Sequence, residues 1–415
     1  MGRSGCQLAV IADDLTGALD TGVQFAVRGI PTCVTIEPTS TDQAPERASV
    51  LVADTETRHA QPGAAYERVV AAVGWCCVHG VARFYKKTDS TLRGNLGSEL
   101  TALLATASCN DLLFVPAFPG MNRQTIDGHQ YIDGVPLHKT SFGSDPLAPI
   151  PDSHIPNLIQ SQTDVEVSIA HRPAEIPIKP VRQKRIIVCD ASTERDLRRI
   201  GDYLRRHDKL NCTAGCAGFA SVLADLLPFK RERSKIYCLS GPMLVICGSL
   251  HAVSRRQVRV AESCGMQSLC LPAGALIADA FMAAREGVGF EKNVAHLLRS
   301  GQDVIVTTVE GGDNQHRVTK KASRRVARNL SELVYRLVCE SAVATLVIFG
   351  GDTSARIMER LGWRCLELVA ELLPGLPLSR TGAEADPIVI TKAGGFGDDT
   401  VLPRLRDMLN SARQA

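Results

Sequence analysis

The sequence predicts an α/β protein of two domains with largely parallel sheets. Short apolar runs typical of buried strands alternate with stretches of helical periodicity, which is the pattern of a parallel sheet with crossover helices. At 415 residues the chain exceeds the size at which one hydrophobic core stops growing, so two domains are expected. The predicted strands are residues 8–12, 32–36, 49–53, 81–85, 112–116, 185–189, 243–247, 303–308, 344–349 and 387–391.

The alternation is interrupted between Leu226 and Gly241, where Pro228, a charged stretch and a Ser-Gly-Pro sequence follow one another. A segment that contains Pro and Gly in this way is typical of a linker. A new apolar run begins directly after it. We therefore predict a first domain at residues 1–230 and a second at residues 243–415.

The composition excludes several classes of protein. Apolar residues make up 45% of the chain and charged residues 22%, as in an ordinary globular protein. The net charge of +3 and the absence of a basic stripe argue against a nucleic acid partner. No apolar run is long enough to span a membrane and no signal-peptide pattern precedes the first strand, so we expect a cytoplasmic protein. The 14 cysteines include no CxxC pair, which argues against a zinc site.

The first predicted strand, residues 8–12, ends at two adjacent carboxylates, Asp13 and Asp14. A helix is predicted directly after them, and one Asp is explained as its cap, accepting hydrogen bonds from N–H groups of the first turn. The other Asp has no structural task in this interpretation. Two carboxylates at the end of a buried strand are suited to general-base catalysis or to holding a hydrated Mg²⁺.

The predicted strand at residues 81–85 leads into a polar segment, residues 86–95, that contains Lys87, Asp89 and Arg93 among several hydroxyls. A solvated turn is one interpretation of such a segment. Ligands of α/β sheets, however, lie at the carboxyl ends of strands. Because the first strand ends in a polar segment of the same kind, we predict a ligand site instead.

The stretch from Pro116 to about Arg182 has a different character, since it is rich in Pro, Gly, Asp and Ser. Residues 130–137 predict a small hairpin around the turn sequence Asp133-Gly134.

Three predicted strands of the second domain end in loops that contain glycine. Glycine lets backbone N–H groups approach a ligand without interference from a Cβ atom, and after two of the loops a helix begins whose N-terminus attracts anions. We therefore predict nucleotide or phosphate binding here, although neither a GxxxxGK[ST] loop nor a GxGxxG fingerprint is present. The loops are Gly248-Ser249, Gly350-Gly351-Asp352-Thr353-Ser354 and Gly394-Gly395.

Four segments, distributed in order over nearly the whole chain, together resemble the four-carbon acid sugar kinase family. The resemblance implies ATP-dependent phosphorylation of a terminal hydroxyl on an acid such as threonate, erythronate or 3-oxo-tetronate. It also implies a sugar-acid-binding domain at 1–230, a nucleotide-binding domain at 243–415 and an active site in the cleft between them. The segments are IADDLTGA at 11–18, KTDSTLRGN at 87–95, GGDTS at 350–354 and KAGGFG at 392–397.

The second of these segments is similar to the threonate/erythronate branch of the family. The resemblance therefore implies that the acceptor is the 4-hydroxyl of an acid such as D-threonate or D-erythronate. Residue by residue, it assigns the sugar acid to Asp13, Asp14, Arg58, Lys87, Thr88, Asp89 and Ser90. It assigns the nucleotide to the loop that runs from Ser249 to Ser254, and to Gly350, Gly351, Asp352, Thr353, Ser354, Gly394 and Gly395.

Phosphoryl transfer depends on positioning and charge neutralisation more than on covalent chemistry. Arg58 is expected to hold the substrate carboxylate, and Lys87 and Arg93 are expected to hold it or to neutralise the moving phosphoryl group. Arg93 is alternatively interpreted as a structural bridge to a carboxylate of the protein. The attacking hydroxyl must lose a proton, for which Asp14 and Asp89 are the first candidates and Asp13 is the third.

The expected cofactors are ATP and Mg²⁺, with the metal bridging the phosphates and keeping most of its water. Asp352 and Asp398 are candidate ligands, although Asp352 is also explained as a helix cap. His129, His138 and His251 are interpreted as structural residues.

Other functions stay open at this point. The chain is alternatively a kinase for 3-oxo-tetronate or another small hydroxy acid, or a non-catalytic sensor of a sugar acid and a nucleotide. A metal-dependent dehydratase would need a denser cluster of carboxylates than the sequence offers. The expected partners are a small sugar acid and ATP, with a homodimer as a possible assembly.

Overall fold

A computed structural model of the protein describes residues 5–40, 45, 47–143, 149–179, 182–232, 241–249, 251–308, 320–340, 343–383 and 385–414. The chain divides into two compact units, Met1–Arg233 and Ser234–Ala415, which we call the N-terminal unit and the C-terminal unit.

The N-terminal unit combines a large parallel sheet with helices and a small antiparallel sheet. Its strands are β1 Leu8–Ala12, β2 Thr32–Ile36, β3 Val50–Asp54, β4 Phe84–Lys87, β5 Asp111–Val115, β6 Arg123–Ile126, β7 His129–Ile132, β8 Val135–Pro136, β9 Glu166–Ala170, β10 Arg185–Cys189 and β11 Cys212–Gly215. Its helices are α1 Leu15–Ala26, α2 Pro62–Val78, α3 Leu96–Thr106, α4 Ile155–Gln160, α5 Glu194–Arg206 and α6 Ala217–Leu226.

The order of strands in the large sheet creates a place for a ligand. The order is β2-β3-β1-β4-β11-β5-β10-β9, and neighbouring strands are parallel throughout. From β1 the chain goes to one side for β2 and β3 and then crosses to the other side for β4. The carboxyl ends of β1 and β4 therefore meet at a topological switch point, where α/β sheets bind ligands.

The central strands are apolar because helices cover the sheet. All five residues of β1 are buried, as are those of β2 and β3. Ala9 and Ile11 on β1 belong to the same core as Val69 on α2 and Leu100 on α3. A strand buried in this way reads as a continuous apolar run, which explains why the sequence reveals it so clearly.

The small sheet consists of β6, β7 and β8, which pair antiparallel. The hairpin between β7 and β8 turns at Asp133 and Gly134, whose φ angles of 51° and 76° suit a tight turn. The predicted hairpin is confirmed. Gln130 on β7 is fully buried and its Nε2 donates to the Ser90 carbonyl at 3.3 Å, so the small sheet supports the polar segment after β4.

The C-terminal unit is a second α/β unit. Its strands are β12 Met243–Cys247, β13 Gln267–Cys270, β14 Val304–Thr307, β15 Thr345–Phe349, β16 Cys365–Leu373, β17 Leu376–Arg380 and β18 Ile388–Lys392. Its helices are α7 Ala252–Ser263, α8 Gly274–Ile277, α9 Arg285–Arg299, α10 Lys320–Cys339, α11 Gly351–Leu361 and α12 Val401–Gln414.

The strand order in this unit is β13-β14-β12-β15-β18-β17-β16. The pairs from β13 to β18 are parallel, and β18, β17 and β16 pair antiparallel. The chain leaves β12 for β13 and β14 on one side and then crosses to β15 on the other. Gly248 and Gly350, which follow β12 and β15, therefore lie at the switch point of this sheet.

The predicted α/β class is confirmed, and nine of the ten predicted strands end within one residue of the observed limits. The exception is the strand predicted at 81–85, which is observed at Phe84–Lys87. Lys86 and Lys87 thus belong to the strand rather than to the loop, because both side chains are buried. Among the observed strands, those that the sequence did not reveal are β6, β9, β11, β13, β16 and β17. Within the described residues, no helix has the length and apolar character to cross a membrane.

Candidate active site

The two carboxylates after β1 have different local roles. Asp14 is the N-cap of α1, with extended backbone angles, and its Oδ1 accepts a hydrogen bond from the Gly17 N–H at 2.8 Å. Asp13 is buried and only 3% exposed. The prediction that one carboxylate caps the helix and the other does not is confirmed, and the carboxylate that does not cap the helix is Asp13.

Arg58 binds both carboxylates. Its Nε donates to Asp13 Oδ2 at 2.8 Å, and its Nη1 donates to Asp14 Oδ2. Its Nη2 lies 3.9 Å from Asp89 Oδ1. Burial alone would lower the pKa of Arg58, but the surrounding carboxylates Asp13, Asp14 and Asp89 raise it well above its ordinary value. The positive charge of Arg58 is therefore already balanced within the protein.

Asp89 is held at the other side of this network. Its Oδ2 accepts hydrogen bonds from Thr91 Oγ1 at 2.5 Å and from Arg93 Nε at 2.6 Å. Burial raises the pKa of Asp89, but the charges of Arg58 and Arg93 outweigh burial and hold the pKa far below its ordinary value. Asp89 is therefore an ionised acceptor and a very weak base.

Asp13 and Asp14 differ in basicity although they are neighbours. Burial raises the pKa of both, but Arg58, Lys87 and Lys86 outweigh it at Asp13, whose pKa is lowered. At Asp14 burial prevails, reinforced by the negative charge of Asp13, and the pKa is raised. Asp14 is the most basic of the three carboxylates that the sequence proposed as bases.

Lys87 is a buried cation beside these carboxylates, with 4% of its surface exposed. Within the part of the chain that the structure describes, its ammonium has neither an ion pair nor a hydrogen bond. A Cβ built on Gly17 would lie 2.7 Å from Lys87 Nζ and 2.5 Å from Asp14 Oδ1. The absence of a side chain at Gly17 therefore makes room for the ammonium next to Asp14.

Two further polar atoms of the predicted site are buried without a partner among the described residues. They are Asp13 Oδ1 and Thr88 Oγ1. A buried oxygen without a hydrogen bond costs free energy unless a water or a ligand satisfies it. Both atoms belong to the segments after β1 and β4, so they are suited to bonding the hydroxyls of a ligand there.

The sequence did not single out the ion pair that supports this site. Lys86, fully buried, places its Nζ 2.7 Å from Glu99 Oε2 and donates to the carbonyls of Ile11 at 3.1 Å and Lys87 at 2.7 Å. These bonds tie the carboxyl ends of β1 and β4 together. In the sequence, Lys86 stands directly before the motif at residues 87–95, which marks it as a residue of interest. Only the fold reveals that its side chain points inward.

In the C-terminal unit the three predicted loops meet. A Cβ built on Gly248 would clash with Thr353 Oγ1, and one built on Gly394 would lie 2.5 Å from Ser249 Oγ. Gly350 has a φ angle of 109°, which side-chain-bearing residues rarely adopt. Glycine is required at these places because the three backbones approach one another closely.

The N-terminus of α11 is suited to an anion. Gly350 gives the helix no side-chain cap, so the first N–H groups of residues 351–353 lack partners from the helix itself. The Ser354 hydroxyl is buried and donates to the Gly350 carbonyl at 2.9 Å, which stabilises the turn rather than presenting the hydroxyl to a ligand. Asp352 is exposed and its carboxylate has no partner among the residues described.

The loop after β12 is described except for Leu250. Ser249 Oγ accepts from the His251 N–H at 3.2 Å, and His251 is the N-cap of α7 through its Nδ1. Ser254 is buried and its Oγ donates to the Gly394 carbonyl at 2.8 Å. Ser254 therefore holds the third loop in place.

Of the two candidate Mg²⁺ ligands, Asp352 fits the task and Asp398 does not. Asp398 accepts hydrogen bonds from the Thr400 N–H and hydroxyl at 2.9 and 2.6 Å, and Arg404 pairs with its second oxygen at 3.0 Å. These contacts occupy both oxygens. The Asp352 carboxylate, by contrast, has no partner among the described residues, and it lies in the first turn of α11, which has no side-chain cap.

The histidines interpreted as structural have local partners. His129 Nδ1 lies 2.9 Å from the Asp127 carbonyl, and His138 Nδ1 lies 2.7 Å from Ser153 Oγ. His251 caps α7, and its ring would also lie 3.4 Å from a Cβ built on Gly395. His251 thus borders the predicted nucleotide loops.

Two families of protein domains match this chain, one in each half. Residues 8–223 match the family described as a sugar-binding N-terminal domain, and residues 244–402 match the family described as a nucleotide-binding C-terminal domain. A crystal structure from Salmonella typhimurium LT2 superposes with a TM-score of 0.81 at 23% identity, over 96% of this chain and 98% of that one. That structure shares the fold.

Several curated kinases are similar over almost their full lengths. A D-threonate kinase of Salmonella typhimurium is 31% identical over 95% of this chain and 96% of its own. A D-erythronate kinase of Heliobacterium modesticaldum is 29% identical, covering 94% of both chains. A 3-oxo-tetronate kinase of Cupriavidus necator is 27% identical, again covering 94% of both.

Proposed function

The chain belongs to the four-carbon acid sugar kinase family, and from this membership we propose that it transfers the γ-phosphoryl group of ATP to the 4-hydroxyl of D-threonate or D-erythronate. The observation that carries the proposal is the network of Asp13, Asp14, Arg58, Lys87 and Asp89 at the switch point of the N-terminal unit. It contains a basic carboxylate and an unpaired cation beside each other, which a reaction between a hydroxyl and an anionic phosphoryl group requires.

Asp14 is the proposed general base. Its Oδ1 caps α1 and its Oδ2 pairs with Arg58, so the carboxylate is held in one orientation. Its raised pKa makes it a better proton acceptor than Asp13 or Asp89, whose pKa values are lowered. Asp89, accepting from Thr91 and Arg93, is proposed to accept a hydrogen bond from a substrate hydroxyl without taking its proton.

Lys87 is the proposed catalytic cation. Arg58 and Arg93 already pair with carboxylates of the protein, whereas the Lys87 ammonium has no such partner among the described residues. A buried ammonium that no carboxylate contacts directly, among the described residues, favours the binding of an anion. We assign it to the negative charge of the substrate, at its carboxylate or at the transferred phosphoryl group, with Arg93 close by. Ser90 and Thr88 complete the proposed sugar-acid site.

The nucleotide is assigned to the three loops of the C-terminal unit. The free N–H groups at the start of α11 and the glycines after β12 and β18 are suited to ATP phosphates. Asp352 would hold Mg²⁺, which would neutralise charge on the phosphates. Gly350, Gly351, Thr353 and Ser354 are proposed to shape the turn. A reaction that uses ATP is in keeping with the predicted cytoplasmic location, and the homodimer stays a prediction.

A kinase for 3-oxo-tetronate is the second candidate, because a relative with that name covers the chain as fully as the D-erythronate kinase does. The sequence after Lys87 favours the threonate/erythronate branch. A non-catalytic sensor is disfavoured, since a binding protein has no use for a basic carboxylate beside an unpaired lysine.

The experiment that tests the proposal is a coupled assay of ADP release with Mg·ATP against D-threonate, D-erythronate, L-threonate and 3-oxo-tetronate. We expect strong turnover with D-threonate or D-erythronate. Turnover with 3-oxo-tetronate alone would support the second candidate. Binding of ATP and acid without turnover of any acid would support the sensor.

A further inference from the structure

Lys392, the last residue of β18, carries a buried ammonium for which the proposed function gives no task. The residue is 1% exposed. Its Nζ donates to the carbonyls of Ala393 at 2.9 Å, Phe396 at 3.0 Å and Gly394 at 3.3 Å. The hydroxyl of Ser254 lies 3.4 Å away. No carboxylate pairs with it in the described part of the chain, so its charge is stabilised by these oxygens and by the ring of Phe349, whose centroid lies 4.3 Å from Nζ.

A second buried side chain binds the carbonyls that follow. Gln257 on α7 is fully buried, and its Nε2 donates to the carbonyls of Phe396 at 2.9 Å, Gly397 at 3.1 Å and Asp398 at 2.9 Å. Lys392 and Gln257 together turn carbonyls of residues 393, 394, 396, 397 and 398 toward the interior. We call residues 393–399 the anchored loop.

The direction of these carbonyls fixes the direction of the N–H groups. The described peptide bonds are all trans, and in a trans peptide the C=O of one residue and the N–H of the next point in opposite directions. The N–H groups of Gly394, Gly395, Gly397, Asp398 and Asp399 therefore point away from Lys392 and Gln257. None of these N–H groups donates a hydrogen bond within the described residues.

Successive N–H groups that point the same way form a cavity for an anion. The anchored loop lies against the loop after β12, since a Cβ on Gly394 would be 2.5 Å from Ser249 Oγ. It also lies beside the start of α11, because the Gly350 N–H donates to the Lys392 carbonyl at 3.0 Å. The row of free N–H groups thus belongs to the loops assigned to the nucleotide.

We propose that Lys392 is the positioning residue of the nucleotide site: together with Gln257 it draws the carbonyls of the anchored loop inward, so that the opposite N–H groups bind ATP phosphate. Lys392 does not touch the phosphate itself. The inference rests on the proposed function, because it takes ATP as the ligand of this unit.

The proposal gives ATP binding a dependence on pH. Burial lowers the pKa of Lys392 to about 8, against a smaller opposite effect of Cys247. Below that pH the ammonium has three N–H donors for the carbonyls. Above it a lone pair faces the carbonyl oxygens and the positive charge is lost, so the anchored loop loses its fixed orientation. ATP affinity should therefore fall as the pH rises through about 8.

Other titratable or charged groups surround these loops, namely Cys247 on β12, His251 at α7, Asp352 on α11, and Asp398 and Asp399 in the anchored loop with their partners Arg404 and Arg256. Lys392→Met removes only the lysine. A dependence on pH that survives in this variant belongs to those groups, whereas one that disappears belongs to Lys392.

The test is the Kd of Mg·ATP, measured by calorimetry without sugar acid, for the full-length wild type, Lys392→Met and Lys292→Met. Lys292 is an exposed lysine of α9 in the same unit and serves as the matched control. We expect Lys392→Met to raise the Kd of Mg·ATP at least about tenfold, an effect comparable to the loss of one charge-assisted hydrogen bond. In the Lys292→Met control, the Kd should change less than about twofold.

The wild type carries an independent test, which remains available if Lys392→Met does not fold. Between about pH 7 and about pH 9.5 its Kd for Mg·ATP should rise with an apparent pKa near 8. In a folded Lys392→Met protein the Kd should be high and should not change over this range of pH. An unchanged Kd in the variant, or a wild-type Kd that is constant over this range, would overturn the inference. Because only binding is measured, a chain that binds ATP as expected but phosphorylates no acid would contradict the proposed function and leave this inference standing.

Discussion

At the scale of single residues, three aspartates in one network differ in pKa because their neighbours differ. Asp89 is surrounded by Arg58 and Arg93, and its pKa is lowered. Asp14 shares Arg58 with Asp13 and is buried beside that negative charge, and its pKa is raised. The sequence proposed all three as bases, with Asp13 third, and could not separate Asp14 from Asp89. The ranking depends on distances between segments far apart in the chain.

Asp14→Asn tests the assignment of the base. The amide retains an oxygen that can cap α1, and Asn is as good an N-cap as Asp, but the ion pair with Arg58 Nη1 is lost, so the free energy of unfolding should fall while the start of the helix is kept. The asparagine amide cannot accept the proton of the attacking hydroxyl, so kcat should fall by about 100-fold or more. Steady-state kinetics with Mg·ATP and the preferred acid measure the effect.

Two results accompany that prediction. In the wild type, kcat should be lost as the pH falls through the raised pKa of Asp14, at a value above the ordinary aspartate pKa of about 3.9. In Asp89→Asn, the KM for the acid should rise more than kcat falls. A kcat within a few-fold of wild type in Asp14→Asn would remove Asp14 from the mechanism.

The buried pair Lys86–Glu99 makes a prediction about stability. Lys86→Met leaves Glu99 buried without its cation, and removal of one partner from such a pair costs about 3–5 kcal/mol. The free energy of unfolding in urea should fall by about that amount. Replacing both residues, Lys86→Met with Glu99→Leu, should restore part of it because no charge is then buried.

An exposed pair provides the control for this experiment. Arg299 and Glu340 form an ion pair in which the side chains are 56% and 45% exposed, and such pairs contribute about 0–1 kcal/mol. Arg299→Met should therefore change the midpoint of unfolding very little. If Lys86→Met were as mild as Arg299→Met, the pair would not be what holds the ends of β1 and β4 together.

At the scale of secondary-structure elements, the sequence predicts the strands that are buried and apolar and fails for those that are not. Leu8–Ala12 on β1, Leu-Ala-Val-Ile-Ala, form an uninterrupted apolar run. By contrast, β11 consists of Cys-Thr-Ala-Gly and β13 of Gln-Ser-Leu-Cys, which resemble loops until their neighbours are known. In β16, the repeated Leu and Glu residues fit a helix as well as a strand.

In the candidate site, too, some residues can be recognised from the sequence and others cannot. The motifs after β1, β4, β15 and β18 are visible in the sequence because each is a continuous segment with an unusual composition. Lys86, Gln257 and Lys392 were not assigned roles because their function depends on carbonyls brought to them by the fold. A single lysine before a motif carries no sign of whether its side chain points inward.

The close approach of the nucleotide loops makes a prediction at this scale. In Gly248→Ala the new Cβ would clash with Thr353 Oγ1, so α11 and the loop after β12 would have to separate. We expect the KM for ATP to rise at least about tenfold, since displaced N–H groups no longer reach their phosphate. The KM for the sugar acid should change much less.

Gly289→Ala is the matched control. It places the same methyl group on α9, where a Cβ would meet nothing within 4 Å. Alanine inside a helix is more favourable than glycine by about 0.5–1 kcal/mol, so this variant should be slightly more stable with unchanged kinetics. Equal KM values for ATP in the two variants would show that the approach of the loops is unimportant for binding.

At the scale of the whole molecule, both units repeat one architectural rule. In the N-terminal unit the switch point lies between β1 and β4, and in the C-terminal unit it lies between β12 and β15. Polar or glycine-rich segments follow the carboxyl ends of these strands. Among the residues that the structure describes, the N-terminal unit presents carboxylates and a lysine without an ion pair, whereas the C-terminal unit presents N–H groups without a hydrogen-bond partner. The first set is suited to hydroxyls and a proton, and the second to phosphates.

This division predicts where each ligand protects the backbone from hydrogen exchange. A sugar acid alone should slow exchange in the segments after β1 and β4. A non-hydrolysable ATP analogue with Mg²⁺ alone should slow exchange at the start of α11 and in the anchored loop, residues 393–399. Mass spectrometry of peptides after exchange distinguishes these segments. Protection by the nucleotide confined to the N-terminal unit would reverse the assignment of the two units.

The central claim is that phosphate passes from ATP to the terminal hydroxyl of a four-carbon acid at this site. The most direct measurement is the fate of ATP labelled in its γ-phosphate, incubated with D-threonate or D-erythronate, with the product identified by phosphorus NMR. In the wild type the label should appear as the 4-phosphate of the acid, and in Asp14→Asn it should appear there at least about 100-fold more slowly. Label released only as inorganic phosphate, or carried on another hydroxyl, would contradict the central claim.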